Sequence, residues 1–150
     1  MEHLLTISEI SVQYRPKKAH RPKITNANEA VNVARLFFPT DTIELQESFV
    51  VLYLNRANRV IGVYPVSKGG ITGTVADTRL ILAVALKAAA CNIILVHNHP
   101  SGNLNPSRAD EELTKKIKSA STYMDIQLID HLILSPDEGS FFSFAEEGIL

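Results

Sequence analysis

The segment NIILVHNHPSG (92–102) joins an unbroken aliphatic run to two histidines, then to a proline and a glycine. Consecutive aliphatic residues bounded by turn formers predict a buried strand over 92–99. Such a strand needs cover, and its neighbours supply it. Upstream, DTRLILAVALKAAA (77–90) is strongly helical and largely apolar, which predicts a substantially buried helix whose alanines 83–90 are core packing. Downstream, PSRADEELTKKIKSASTYM (106–124) has amphipathic helical spacing, with Asn105 suited to its cap and Pro106 to its first turn. A further strand is expected at IQLIDHLIL (126–134), after which SPDEGS turns the chain into the closing FFSFAEEGIL.

Earlier segments add to the sheet. SFVVLYL (48–54) and RVIGVYPV (59–66) are rich in β-branched and aromatic residues, and Asn55 to Asn58 supplies turn chemistry, so an antiparallel hairpin is predicted. Asn26 with Glu29 resembles a capping box opening a helix that carries Ala27, Ala30, Val31, Ala34 and Phe38 and is stopped by Pro39. The glycine-rich KGGITGTV (68–75) is expected as a strand lying close to another backbone. Ile10, Val12 and Tyr14 alternate with polar neighbours, which predicts a half-buried N-terminal strand. Mixed strands and helices indicate an α/β or α+β sheet covered by helices. At 150 residues, 45% apolar and 21% charged, the chain is one ordinary domain with a core of its own.

Fifteen basic and sixteen acidic residues leave a formal charge of −1, so the whole molecule is no polycation. The charge is uneven. RPKKAHRPK (15–23) carries +5 with no acid, leaving −6 on the remainder. Two prolines and no apolar periodicity make it a solvated connecting arm; its functional alternative is an electrostatic foot for nucleic acid or an acidic protein. Only Tyr14 stands at its edge, so no base-stacking platform is indicated. The single cysteine, Cys91, cannot close an internal disulfide or a multi-thiolate site and reads as a small packed hydrophobe. No apolar run reaches a bilayer span, and MEHLLTISEI lacks the order of a signal peptide. The expectation is a cytoplasmic protein without a membrane partner.

The chemistry lies in HNHPSGNLNPSRAD, residues 97–110. His97 and His99 stand two apart at a strand end, which puts both imidazoles on one face. Ser107 and Asp110 stand three apart in the first turn of the next helix and are neighbours there. Pro100, Gly102 and Pro106 make a stiff loop that can fold the helix start back toward the strand end. Two neutral imidazoles and one carboxylate suit Zn²⁺ and leave a fourth tetrahedral position for water. Ser107-x-x-Asp110 equally fits a capping box that needs no metal. Asn98 and Ser101 have two readings, backbone hydrogen bonding or substrate contact. His131, on the Ile129/Ile133 face, reads as a hydrogen-bonded core histidine. A base must come from elsewhere, and the candidates are Glu47, which shares a strand face with Phe49 and Val51, and Glu44. Burial at Glu47 would raise its pKa. Spacing places neither acid near His97.

His-x-His-Pro, six residues, then Ser-x-x-Asp resembles the JAMM signature of JAB/MPN-type zinc metallopeptidases. The full string HNHPSGNLNPSRAD, together with ESFVVLYLN, VADTRLILAVALKAAACNIILVHNHP, LIDHLIL and FFSFAEEGIL, is similar to the RadC family within that group. The similarity covers roughly residues 24–150, and a multi-part match is far more specific than one motif. It implies an α/β, MPN/JAB-like mixed sheet flanked by helices, akin to the cytidine-deaminase architecture; residues 1–23, read as an N-terminal strand and basic arm, have no counterpart in the family. The resemblance implies His97, His99 and Asp110 as zinc ligands and Glu47 as the general acid/base. It favours Glu47 over Glu44 because the family's acid stands two before the strand aromatic, here Phe49. Ser107 would stabilise an oxyanion. The implied function is a zinc-dependent hydrolase cleaving an amide in a peptide or isopeptide. The alternatives are a DNA-repair or mobile-element accessory and a metal-binding module without turnover. A nucleobase deaminase is excluded, because one cysteine cannot supply its metal ligands. Longer RadC proteins begin with a helix-hairpin-helix region that has no counterpart in this sequence, so DNA contact of that origin is not expected.

Overall fold

The computed structural model describes residues 7–69 and 75–150. Eight elements follow in the order α1 (Ala27–Arg35), β1 (Ser48–Leu54), β2 (Val60–Lys68), α2 (Thr78–Lys87), β3 (Asn92–Asn98), α3 (Arg108–Tyr123), β4 (Gln127–Leu134) and β5 (Phe141–Ser143). The strands form one mixed sheet in the order β2-β1-β3-β4-β5. Only β3 and β4 run parallel, joined by the α3 crossover; the other neighbours are antiparallel. The expected helix-covered mixed sheet is therefore the observed architecture.

The pleat separates two cores. Val50, Leu52 and Leu54 of β1 and Ile94 and Val96 of β3 meet Ala30, Val31 and Ala34 of α1 on one face. Phe49, Val51, Tyr53, Ile93 and Leu95 meet Ile81 and Ala85 of α2 and Ile117 of α3 on the other. Burial on both faces is why β1 and β3 are apolar without alternation. Tyr53 adds a polar tie, its hydroxyl donating to the Ile81 carbonyl at 3.0 Å.

Several expectations are corrected. Helix α1 stops at Arg35, short of Phe38, and turns carry the chain to Pro39, since a residue preceding proline is pushed out of the helical region. Helix α2 is only half covered: Leu80 and Leu86 are exposed, and of the alanines from 83 to 90 only Ala85 and Ala90 are buried. It ends at Lys87 because Ala89 takes a left-handed φ of 53°. Cys91 is half-buried rather than fully packed. The N-terminal strand does not form among residues 7–14, and Ile10 and Val12 are 89% and 72% exposed. Alternation specifies a strand only where an edge receives it, and here the arm meets the β2 side of the sheet through the Tyr14 hydroxyl on the Ile61 carbonyl, a Lys23–Arg59 bridge and the Arg59 side chain on the Arg21 carbonyl. The glycine-rich segment 68–75 lies largely outside the described residues.

Candidate metal centre

His97 is on the last turn of the β3 pleat, and antiparallel pairing sets Phe49 of β1 directly opposite it. Two residues before Phe49, Glu47 falls on the same face, opposite the chain position of His99. That register solves what spacing left open. Glu47, His97, His99 and Asp110 come together, their candidate ligand atoms all within 4.8 Å of one another. Glu44 is exposed and outside the group.

The loop 99–107 brings Asp110 back to the strand. The His99 N–H donates to the Leu134 carbonyl, and Gly102 closes a turn on His99 with a left-handed φ of 81°. Ser107, rather than the expected Asn105–Pro106 pair, caps α3. Its Oγ accepts from the Asp110 N–H at 3.1 Å, and an Asp110 carboxylate oxygen accepts from the Ser107 N–H at 2.8 Å. The same carboxylate stands 3.2 Å from His97 Nε2 and 3.3 Å from His99 Nε2. Capping and facing the imidazoles, the two readings of Asp110, are compatible; the box aims the carboxylate.

These separations suit one small cation. His97 Nε2 and His99 Nε2 are 3.0 Å apart. Ligand atoms at about 2.0–2.1 Å from a tetrahedral ion stand about 3.3–3.4 Å from each other, close to the three spacings here. Two nitrogens and carboxylate oxygens are also a coherent donor set for a first-row ion. This His/Asp/Glu group can hold a metal ion.

Electrostatics distinguish the two acids. Burial alone would raise the Asp110 carboxyl, but hydrogen bonds from His97 and His99 outweigh it and hold the group well below the usual carboxylate range. Glu47 is pushed up, chiefly by burial, with His97 and His99 opposing. Burial lowers His99, yet its contacts with Asp110 and the Asn103 carbonyl leave it raised overall. One carboxylate is held ionised and the other is made easier to protonate.

Two residues stand behind the cluster, both weighed from the sequence but not assigned to the site. Asn98, buried on the opposite face of β3, donates to the Ile43 and Gln46 carbonyls at 2.8 and 2.9 Å and accepts from the Ser48 N–H at 2.7 Å. It clamps the loop that carries Glu47, so of its two readings the structure takes backbone bonding. His131, fully buried between Phe49 and Phe144, lies 2.8 Å from His97 Nδ1. Ser101 Oγ accepts from the Asn103 N–H within the loop. In front of the cluster lies an open cleft of about 420 Å³, lined by Glu47, His99, Ser101, Asn103, Asn105 and Ser107.

A family model described as a RadC-like JAB domain matches residues 24–149. Similar relatives include UPF0758 proteins from Flavobacterium johnsoniae, 45% identical over 127 residues, and from Porphyromonas gingivalis, 42% identical over 130 residues. These alignments take in 85% and 87% of this chain but 53% and 56% of the relatives. A third, from Streptococcus gordonii, is 47% identical over 102 residues, 68% of this chain and 44% of the relative. The chain spans about half the length of the curated relatives it matches.

Proposed function

Since the chain belongs to the RadC-like JAB domain family, we propose that Glu47, His97, His99 and Asp110 form a zinc centre that hydrolyses an amide bond in a peptide or isopeptide. The observation that carries this reading is the convergence of all four side chains from three separate stretches of the chain beside one open cleft. His97, His99 and Asp110 would hold the ion. Bound zinc supplies Lewis-acid activation of water and of the substrate carbonyl.

The protein's own groups do the rest. Glu47, its carboxyl raised by burial, takes a proton from the attacking water and returns it to the departing amine. Ser107 Oγ acts as an acceptor toward the Asp110 N–H, which leaves its hydrogen to donate to a developing oxyanion. Asn98 holds the Glu47 loop against the end of β3. The open cleft admits an extended chain from solvent.

The test combines elemental analysis with cleavage of a mixed library of peptides and lysine-linked isopeptides. Wild type is expected to hold about one zinc per chain and to cleave in a chelator-sensitive manner. His97→Ala and Asp110→Ala lose the metal, while Glu47→Gln keeps it and loses at least about 10²-fold in turnover. Undiminished cleavage by zinc-loaded Glu47→Gln refutes the role of that acid. A zinc-loaded wild type with no cleavage favours a metal-binding module without turnover.

A further inference from the structure

His97 can bind an ion through Nε2 only if its proton sits on Nδ1, and the hydrogen bonds behind it decide where that proton goes. They can be followed from a fixed end. The Asp110 backbone carbonyl only accepts, and Thr114 Oγ1 donates to it at 2.6 Å. With its hydrogen committed, that hydroxyl can only accept from His131 Nδ1, also 2.6 Å away. His131 Nδ1 therefore carries a hydrogen. The ring is fully buried, lies stacked on Phe144 at 4.7 Å, and has no carboxylate hydrogen-bonded to it among the described residues. A second hydrogen would charge a fully buried ring that no carboxylate hydrogen-bonds among the described residues. His131 Nε2 is then a bare acceptor, and it faces His97 Nδ1 at 2.8 Å. His97 Nδ1 is the donor, which leaves His97 Nε2, beside His99 and Asp110, the nitrogen able to give a lone pair to an ion among them.

We propose that Thr114 and His131 are positioning residues that lock His97 in the tautomer able to bind a cation through Nε2. The inference rests on the zinc reading of the site. The two imidazoles are set by different means. His99 donates from Nδ1 to the adjacent Asn103 carbonyl at 2.6 Å, a lock built within its own loop. His97 is buried at a strand end and takes its lock from a relay through β4 and α3. That relay begins on Asp110, whose backbone carbonyl orders the chain of donors while its carboxylate faces the ring being ordered. Strand ligand and helix ligand are thus tied twice, in front and behind.

The test uses the full chain and two readouts. Zinc affinity is measured by competition with a chromogenic chelator for wild type, Thr114→Val, Thr114→Ser and His131→Phe. Ring-nitrogen protonation is read by long-range ¹H–¹⁵N correlation spectra. Valine keeps the shape of Thr114 but removes the acceptor, so His131 moves its hydrogen to Nε2 and His97 Nδ1 must accept. Zinc binding is expected to weaken by about 10–100-fold in Thr114→Val and His131→Phe, and Thr114→Ser restores it. Wild-type spectra should show His131 protonated at Nδ1 and bare at Nε2. Wild-type affinity in folded Thr114→Val, or a wild-type His131 protonated at Nε2, overturns the proposal. A wild type that binds no zinc yet shows the expected nitrogens refutes the metal centre and leaves the relay standing, so the two failures are separable.

Discussion

His97, Asn98 and His99 divide their work by the pleat of β3. The odd positions face Asp110 and Glu47; the even one turns to the opposite core and holds the loop that brings Glu47 in. Asn98 makes three hydrogen bonds to backbone groups, all removed by Asn98→Ala, which would leave buried polar groups unpaired. A cost of about 2–4 kcal/mol is expected in urea titration, with zinc stoichiometry unchanged because neither histidine depends on that amide. Loss of zinc in folded Asn98→Ala would show that the two faces are not independent. The histidine pair was legible in the sequence because period two depends on nothing outside the strand. The task of Asn98 was not, since its partners are backbone atoms 50 to 55 residues away, which carry no side-chain signature.

At the scale of elements, the start of α3 combines structure and chemistry in one turn. Ser107 caps the helix, and Asp110 completes the box with the same carboxylate that faces both imidazoles. Substitution separates the two uses of Ser107. Ser107→Ala loses the cap and is expected to cost about 1 kcal/mol of stability. Ser107→Asn keeps a capping oxygen but no hydroxyl, so stability is retained while turnover falls by about 10²–10³ if Ser107 serves the oxyanion. Wild-type turnover in Ser107→Asn would confine that serine to capping. Strand β4 offers a second case. Asp130, buried where β4 meets β5, accepts from Ser143 Oγ at 2.6 Å and from the Ala145 and His131 N–H groups. Burial pushes its carboxyl up, against those hydrogen bonds. An unfolded aspartate titrates near about 3.9, so the native state holds this proton more tightly than the unfolded chain. Stability contributed by that proton falls as pH rises from there through the raised native value and is level above it. Asp130→Asn should flatten stability against pH across that window; an unchanged slope would assign the dependence to other groups. The elements themselves were legible from periodicity, whereas their ends were not, because a left-handed Ala89 or a cap at Ser107 is settled by packing around the turn.

For the whole molecule, the decisive fact is that β1 lies between β2 and β3. Strand order brings Glu47 to His97 across fifty residues of sequence, and no local pattern announces it; only the family resemblance did. The failed N-terminal strand has the same origin, since alternation does not say which edge is open. What remains there is a basic arm on a molecule otherwise carrying −6, with Arg15, Lys17, Lys18 and Lys23 exposed and Arg21 half-buried. Its anchors, Tyr14 on Ile61 and Lys23 beside Arg59, run it along the β2 edge, at the end of the sheet away from β4 and β5. Five basic groups bound the electrostatics of any duplex contact made there. Each neutralised phosphate contributes about −0.9 to the slope of log K against log salt, so the arm can yield at most about −4.5. Deleting residues 15–23 should therefore abolish salt-dependent DNA binding while leaving zinc content and amide cleavage unchanged. Titration of labelled duplex DNA at several salt concentrations, for full chain and deletion side by side, provides the comparison. A steeper slope, or binding that survives the deletion, would place the nucleic-acid surface elsewhere on an otherwise acidic molecule.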